Sequence, residues 1–269
     1  MAREGSAGQR LFGASALGSV FAVRSLLAEG VEVNFVGKAG NIALITAAYW
    51  GYVDVSELLL GAGSFVNHVD ENANSALTLA ALSGHVSVVR ILLASSANIN
   101  QANKWGNTAL MIAAQENHPE VVELLAESGA DVNHVNEDGD SALICAASEG
   151  YVSVVRILLA ASANINQANK HGDTALILAA DNNHPEVVEL LLADSTDIVS
   201  PLAYARQKNH PDVVALLEAE AARRGPRADS RRAASQRGGG GSEGGTRGSV
   251  AAGHGGAAGR GGRQQDQQE

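Results

Sequence analysis

The chain has 269 residues, 45% of them hydrophobic, with 19 basic and 29 acidic side chains and a single cysteine. That length can bury a continuous core. No run of about 18 apolar residues offers a membrane span, and one cysteine rules out an internal disulfide and suits a reducing compartment, cytoplasmic or nuclear.

One pattern organises the chain. Ala-Leu-x-x-Ala-Ala recurs with Leu44, Leu77, Leu110, Leu143 and Leu176 each 33 residues apart, and a fixed period of this size signals stacked supersecondary units. Residues 1–7 read as a flexible N-terminus. Stepping back one period from Ala47, Gly51 and Leu59 lands on Ala14, Gly18 and Leu26. Gln9 to Ala28 is therefore predicted as a helix pair within a capping unit, 8–36. Arg3, Arg10 and Arg24 among serines faintly resemble a transit peptide, but the repeat register favours the capping unit.

Four full units follow, 37–69, 70–102, 103–135 and 136–168. Gly40, Gly106, Gly139 and Gly172 mark a turn that needs positive φ; Ala73 stands there in the second full unit and predicts a strained or differently shaped turn. Ser75, Thr108, Ser141 and Thr174 can cap the first helix, whereas Ile42 cannot. Pairs such as Ala80-Ala81 and Ala113-Ala114 let first helices approach closely. Gly51, Gly84 and Gly150 lie between the helices, with Asn117 and Asn183 where a left-handed residue is again required. The second helix shows an apolar stripe at Val88, Val89, Leu92 and Leu93, and Pro119 and Pro185 open it where a missing N–H costs nothing. Asn34, Asn67, Asn100, Asn133 and Asn166, again 33 apart, read as a ladder of amides that satisfy loop backbone. A shortened unit, 169–198, and a C-terminal cap, 199–222, close the array, with Arg206, Lys208, Glu218 and Glu220 expected outward. Ile91 to Leu110 closely matches Ile157 to Leu176, 66 residues on, as after duplication of a two-unit block. Residues 223–269 hold 9 arginines against 4 acids in a Gly-rich stretch, leaving the array at −15; such a tail cannot bury enough apolar surface to fold.

The unit from Gly106-Asn107-Thr108-Ala109-Leu110-Met111-Ile112-Ala113-Ala114 through Asn117-His118-Pro119-Glu120-Val121-Val122 to Gly129-Ala130-Asp131-Val132-Asn133 resembles the ankyrin repeat. The resemblance runs over about residues 8–220. It implies an all-α ankyrin-repeat solenoid of about seven helix-turn-helix units with a disordered Gly/Arg-rich C-terminal tail. It also implies a role in protein–protein recognition. One departure is systematic. The family commonly reads Thr-Pro-Leu-His-x-Ala, but Ala43, Ala76, Ala109, Ala142 and Ala175 replace the proline. Ile45, Thr78, Met111, Ile144 and Ile177 replace the histidine, so the inter-unit hydrogen bonds that histidine makes are expected to be missing.

In the family the turn tips and the exposed face of the first helix line a concave side. Transferred to this chain, the tips are Lys38 and Asn41; Glu71, Asn72 and Asn74; Lys104, Trp105 and Asn107; Glu137, Asp138 and Asp140; and Lys170, His171 and Asp173. The first helices add Tyr49 and Trp50, Leu82 and Ser83, Gln115 and Glu116, Ser148 and Glu149, and Asp181 and Asn182. Tyr49, Trp50 and Trp105 are large amphipathic groups of the kind that anchor partners, although Trp50 could instead cover a neighbouring loop. Glu116, Glu149 and Asp181 form an acidic row that would speed association with a basic segment, or is simply a solvated surface.

Catalysis and cofactors are not predicted. His85, His118, His184 and His210 occur once per unit, roughly 10 Å apart for packed helices, too far for one ion. Cys145, expected buried beside Ala146, has no partner histidine. No phosphate loop, Gly-x-Ser-x-Gly or His-Glu-x-x-His occurs. The expected function is a monomeric scaffold or adaptor that binds another protein. Two alternatives stand beside it: RNA contact through Gly259-Arg260-Gly261-Gly262-Arg263 in a tail without aromatics, and a regulatory or targeting subunit of an enzyme.

Overall fold

A computed structural model describes residues 6–225; the Gly/Arg-rich tail and its predicted disorder lie outside them. The described residues form fourteen α-helices in seven antiparallel pairs. The pairs are α1 (Ala7–Ala16) with α2 (Val20–Ala28), α3 (Ala43–Tyr49) with α4 (Val53–Gly61), α5 (Ala76–Leu82) with α6 (Val86–Ala94), and α7 (Ala109–Gln115) with α8 (Pro119–Glu127). They continue as α9 (Ala142–Ser148) with α10 (Val152–Ala160), α11 (Ala175–Asp181) with α12 (Pro185–Leu192), and α13 (Val199–Lys208) with α14 (Pro211–Arg224). Odd helices pack on odd and even on even along the stack, giving two layers. This is an all-helical solenoid of helix-turn-helix units.

The core follows the period. Leu44, Leu77, Leu110, Leu143 and Leu176 are buried between the layers. The alanine pairs from Ala47-Ala48 to Ala179-Ala180 are fully enclosed where first helices touch, and only a small side chain permits that approach. Val88, Val89 and Leu92, with their equivalents, supply the inner face of the second layer.

Caps behave as the residue types dictate. The hydroxyls of Thr108 and Ser141 accept from the N–H groups of Met111 and Ile144. Ser75 and Thr78 form a reciprocal capping box, so Thr78 closes the helix end in the place where the family has histidine. Ile42 makes no side-chain cap. Ala73 sits at φ 58°, the strained left-handed turn that its replacement of glycine predicts, and Asn117 and Asn183 are left-handed as expected. The first full turn is built differently. Asp70, Asn103, Asn136 and Asn169 each accept two turn N–H groups on one side-chain oxygen. Gly37, in the same register, has no side chain to do so, and that turn tightens into a 3-10 turn at Lys38–Gly40.

The asparagine ladder is present. Asn67, Asn100 and Asn133 each accept a backbone N–H from the following unit, those of Asn98, Asp131 and Asn164, at 2.7–2.9 Å. Histidines at another position of the repeat bond between units. The Nε2 atoms of His85, His118, His184 and His210 lie 2.9–3.1 Å from the carbonyl oxygens of Tyr49, Leu82, Ser148 and Asp181. His68 and His134 reach the turn carbonyls of Gly40 and Gly106 within their own units. The family position has lost its histidine, but the start of the second helix carries others that reach the preceding unit.

At the C-terminal end the period shortens and no tip turn like those of the earlier units precedes α13. Two expectations change here. Helix α14 runs on through Arg224, so Arg223 and Arg224 belong to the array and not to the tail. Glu220 points inward, not outward, with only 11% of its side chain exposed. It bonds both arginines, while Arg224 also donates to the carbonyls of Leu192 and Ser195 at the end of α12. The Arg223 and Arg224 hydrogen bonds hold the Glu220 carboxyl down at about 2. A carboxyl depressed in the folded state adds stability above its unfolded value of about 4.3, and that contribution disappears as pH falls toward the folded value. The last turn of α14 should therefore fray between pH ~4.3 and ~2. Carbon chemical shifts along α14 would follow this, and Glu220→Gln should show a frayed last turn already at neutral pH.

No helix among the described residues is long and apolar enough to cross a membrane.

Candidate functional site

The turn tips form one connected ribbon. The backbone N–H groups of Glu71, Lys104, Glu137 and Lys170 donate to the carbonyls of Ala39, Asn72, Trp105 and Asp138, each at 3.0 Å. Side chains on these tips therefore stand on a fixed frame, the precondition for presenting a surface without ordering it on binding.

Several residues transferred to the partner surface are used inside the array instead. The side-chain oxygens of Asn74, Asn107 and Asp140 accept from the amides of Asn103, Asn136 and Asn169 in the next unit, at 3.3, 3.0 and 2.8 Å. All three are half-buried. Asp173 holds the same register, but no turn follows it to donate. Asn41 and Leu82 are half-buried as well, and the Leu82 carbonyl is taken by His118. Lys38, Glu71, Lys104, Trp105, Asp138 and His171 are exposed on the tips, as are Tyr49, Trp50, Glu116 and Glu149 on the first-helix side.

The aromatic pair is organised. Tyr49 and Trp50 meet edge to face with ring centroids 5.1 Å apart, and Trp50 keeps 54% of its surface exposed. Trp105 is equally exposed, with no aromatic contact among the described residues. Trp50 belongs to a register line that reads Leu17, Trp50, Ser83, Glu116, Glu149, Asn182. Leu17 is 80% exposed at the C-terminal end of α1, and Phe21, in the first turn of α2, is 85% exposed. Neither was singled out from the sequence. The signal was available, because one period later Phe21 becomes Asp54, then Ser87, Glu120, Ser153 and Glu186. Only the capping unit puts an aromatic ring at that solvent position.

The acidic row is uneven. Asp181 lies 3.5 Å from Lys208 and is only 23% exposed, so it is largely taken. Glu116 and Glu149 remain open. The Tyr151 hydroxyl is pushed above its ordinary range, first by desolvation, then by Glu149 and Glu116. Tyr151 occupies the slot that holds His118 one unit earlier and His184 one unit later.

Cys145 is half-buried, where the sequence predicts full burial, and its thiol is pushed up to about 12, chiefly by desolvation and then by Asp140. It stays protonated and unreactive at neutral pH. Among the described residues no three His, Cys, Asp or Glu side chains gather in a way that could hold a metal ion. The Gly259–Arg263 stretch behind the RNA reading lies outside the described residues.

The family model described as ankyrin repeats (3 copies) matches overlapping stretches 11–103, 57–136, 97–169, 131–201 and 162–224. No curated protein matches the chain. With that match running from residue 11 to 224 and the stacked helix pairs behind it, the chain belongs to the ankyrin-repeat family.

Proposed function

We propose that the protein is a scaffold or adaptor that binds another protein on the tip-and-first-helix surface, with Tyr49, Trp50 and Trp105 as anchors. Ankyrin repeats are generally protein–protein interaction modules and typically carry no catalysis of their own. The observation that carries the reading is the exposed Tyr49–Trp50 edge-to-face pair, which no internal packing requires. Large rings held in one geometry lose little freedom on binding and bury much area. Lys38, Glu71, Lys104, Asp138 and His171, exposed on successive tips, supply the polar part of this surface. The array works as a monomer in a reducing compartment, cytoplasm or nucleus, a placement supported by the single cysteine.

The test is affinity capture with the full chain and with its Tyr49→Ala, Trp50→Ala, Trp105→Ala triple variant. A partner held by the first and released by the second is the expected result. If every captured protein binds both equally, the anchor assignment is wrong. Should the partner be an enzyme whose rate changes when bound, the role narrows to a regulatory or targeting subunit.

A further inference from the structure

The repeat supplies its own control for surface chemistry, because equivalent positions differ only in what the surface needs. At the register of Trp50 the line changes from apolar to acidic along the stack: Leu17 and Trp50, then Ser83, then Glu116 and Glu149. At the neighbouring register Ala16, Tyr49 and Leu82 precede Gln115 and Ser148. Phe21 adds a ring where the five following units carry Asp54, Ser87, Glu120, Ser153 and Glu186. The N-terminal end is thus an exposed apolar patch of Leu17, Phe21, Tyr49 and Trp50, with exposures from 39% to 85%. Its continuation is the pair of exposed carboxylates Glu116 and Glu149, one period apart in the register of Trp50. Solvation alone does not explain the apolar end of this line, since polar residues serve the same positions elsewhere in the chain.

We propose that this line is one bipartite site, which takes a single partner segment with aromatic or aliphatic side chains at one end and Lys or Arg at the other. The proposal rests on the protein-binding reading above and gives the partner its chemistry. Charge complementarity places the basic end at Glu116 and Glu149. The apolar end belongs at Leu17, Phe21, Tyr49 and Trp50, where a charged segment would desolvate without compensation. The separation follows from the stack. The units of Trp50 and Glu149 are three repeats apart, roughly 30 Å at about 10 Å per packed helix. About nine extended residues or about twenty helical ones bridge that distance.

The two ends should respond differently to salt. Trp50→Ala and Phe21→Ser remove apolar burial, so their loss of affinity is nearly independent of ionic strength. Glu116→Gln with Glu149→Gln removes long-range attraction, so association slows at low salt and the difference fades above the salt level that screens exposed charges.

The probe is a displayed library of random 20-residue peptides selected on the full chain. Selected peptides are then tested by surface binding against the wild type and both pairs of variants. The expected result is peptides that segregate apolar from basic residues, weakened about tenfold or more by each pair on the same peptide, with salt dependence lost only in the Glu116→Gln, Glu149→Gln pair. Three results overturn the proposal: no peptide is enriched, enriched peptides lack the segregation, or binding answers to one pair alone. A sedimenting dimer that Trp50→Ala dissociates would also overturn it, by giving the patch to a second copy. The protein-binding reading is scored separately. A captured partner lost in the Tyr49→Ala, Trp50→Ala, Trp105→Ala variant, with unsegregated peptides, keeps that reading and removes the bipartite site.

Discussion

Gly84→Ala is expected to lower the stability of the array by roughly 2–3 kcal/mol, well beyond the usual cost of a left-handed alanine. Two effects add. Gly84 sits at φ 73°, where an L side chain is strained by about 1 kcal/mol. A Cβ built there would also lie 2.6 Å from His118 Nδ1, so the imidazole must move. Moving it breaks the 3.0 Å bond from His118 Nε2 to the Leu82 carbonyl, one of the links between units. Gly30 provides the comparison, because its φ is 77° but a Cβ there meets nothing within 4 Å. Gly30→Ala should therefore show the left-handed cost alone, about 1 kcal/mol. Adding His118→Ala to Gly84→Ala should cost less than the sum of the two single changes, since the clash and the lost bond involve the same ring. Urea midpoints followed by helical circular dichroism measure all four variants. Equal losses at Gly84 and Gly30 would show that the imidazole gives way freely.

Trp50→Ala is expected to weaken partner binding by about 30-fold or more, corresponding to a hot-spot loss of about 2 kcal/mol. Trp105→Ala should cost clearly less. Both rings expose about half their surface, 54% and 53%, so area does not separate them. Preorganisation does. Trp50 is held edge to face against Tyr49, in line with Leu17 on the preceding unit. Trp105 rides on a tip whose backbone is fixed by the bonds of its carbonyl to Glu137 and of its N–H to Asn103, but whose ring has no aromatic neighbour. It pays more rotamer entropy on binding. Titration calorimetry of the captured partner against each single variant gives the comparison. If Trp105→Ala cost as much as Trp50→Ala, the centre of the interface would lie on the tips and not at the ends of the first helices.

Much of the candidate surface was legible in the sequence, for a reason specific to repeats. Positions 33 apart become spatial neighbours, so the line from Trp50 to Glu116 and Glu149 could be drawn without coordinates. Leu17 and Phe21 were legible by the same step, but hydrophobic residues in a terminal unit read first as core. The tips were only half legible. Asn74, Asn107 and Asp140 look like free polar groups in a sequence, whereas each one's oxygen is an acceptor for the next unit's amide. Asp181 looked like part of an open acidic row until Lys208, brought close by the shortened last unit, took it.

By itself the sequence determined the unit, its helices, its caps and its buried stripe, because each of these depends on local propensity and on a period that repeats unchanged. Only the tertiary structure decided which polar side chains are spent between units and which remain for a partner. A hydrogen bond is settled by a few tenths of an ångström and by an angle. The family histidine could vanish from one position and its function return through His85, His118, His184 and His210, because packing sets where an imidazole can reach a carbonyl. Glu220 turned inward for the same reason: two arginines and the open end of α12 met it there.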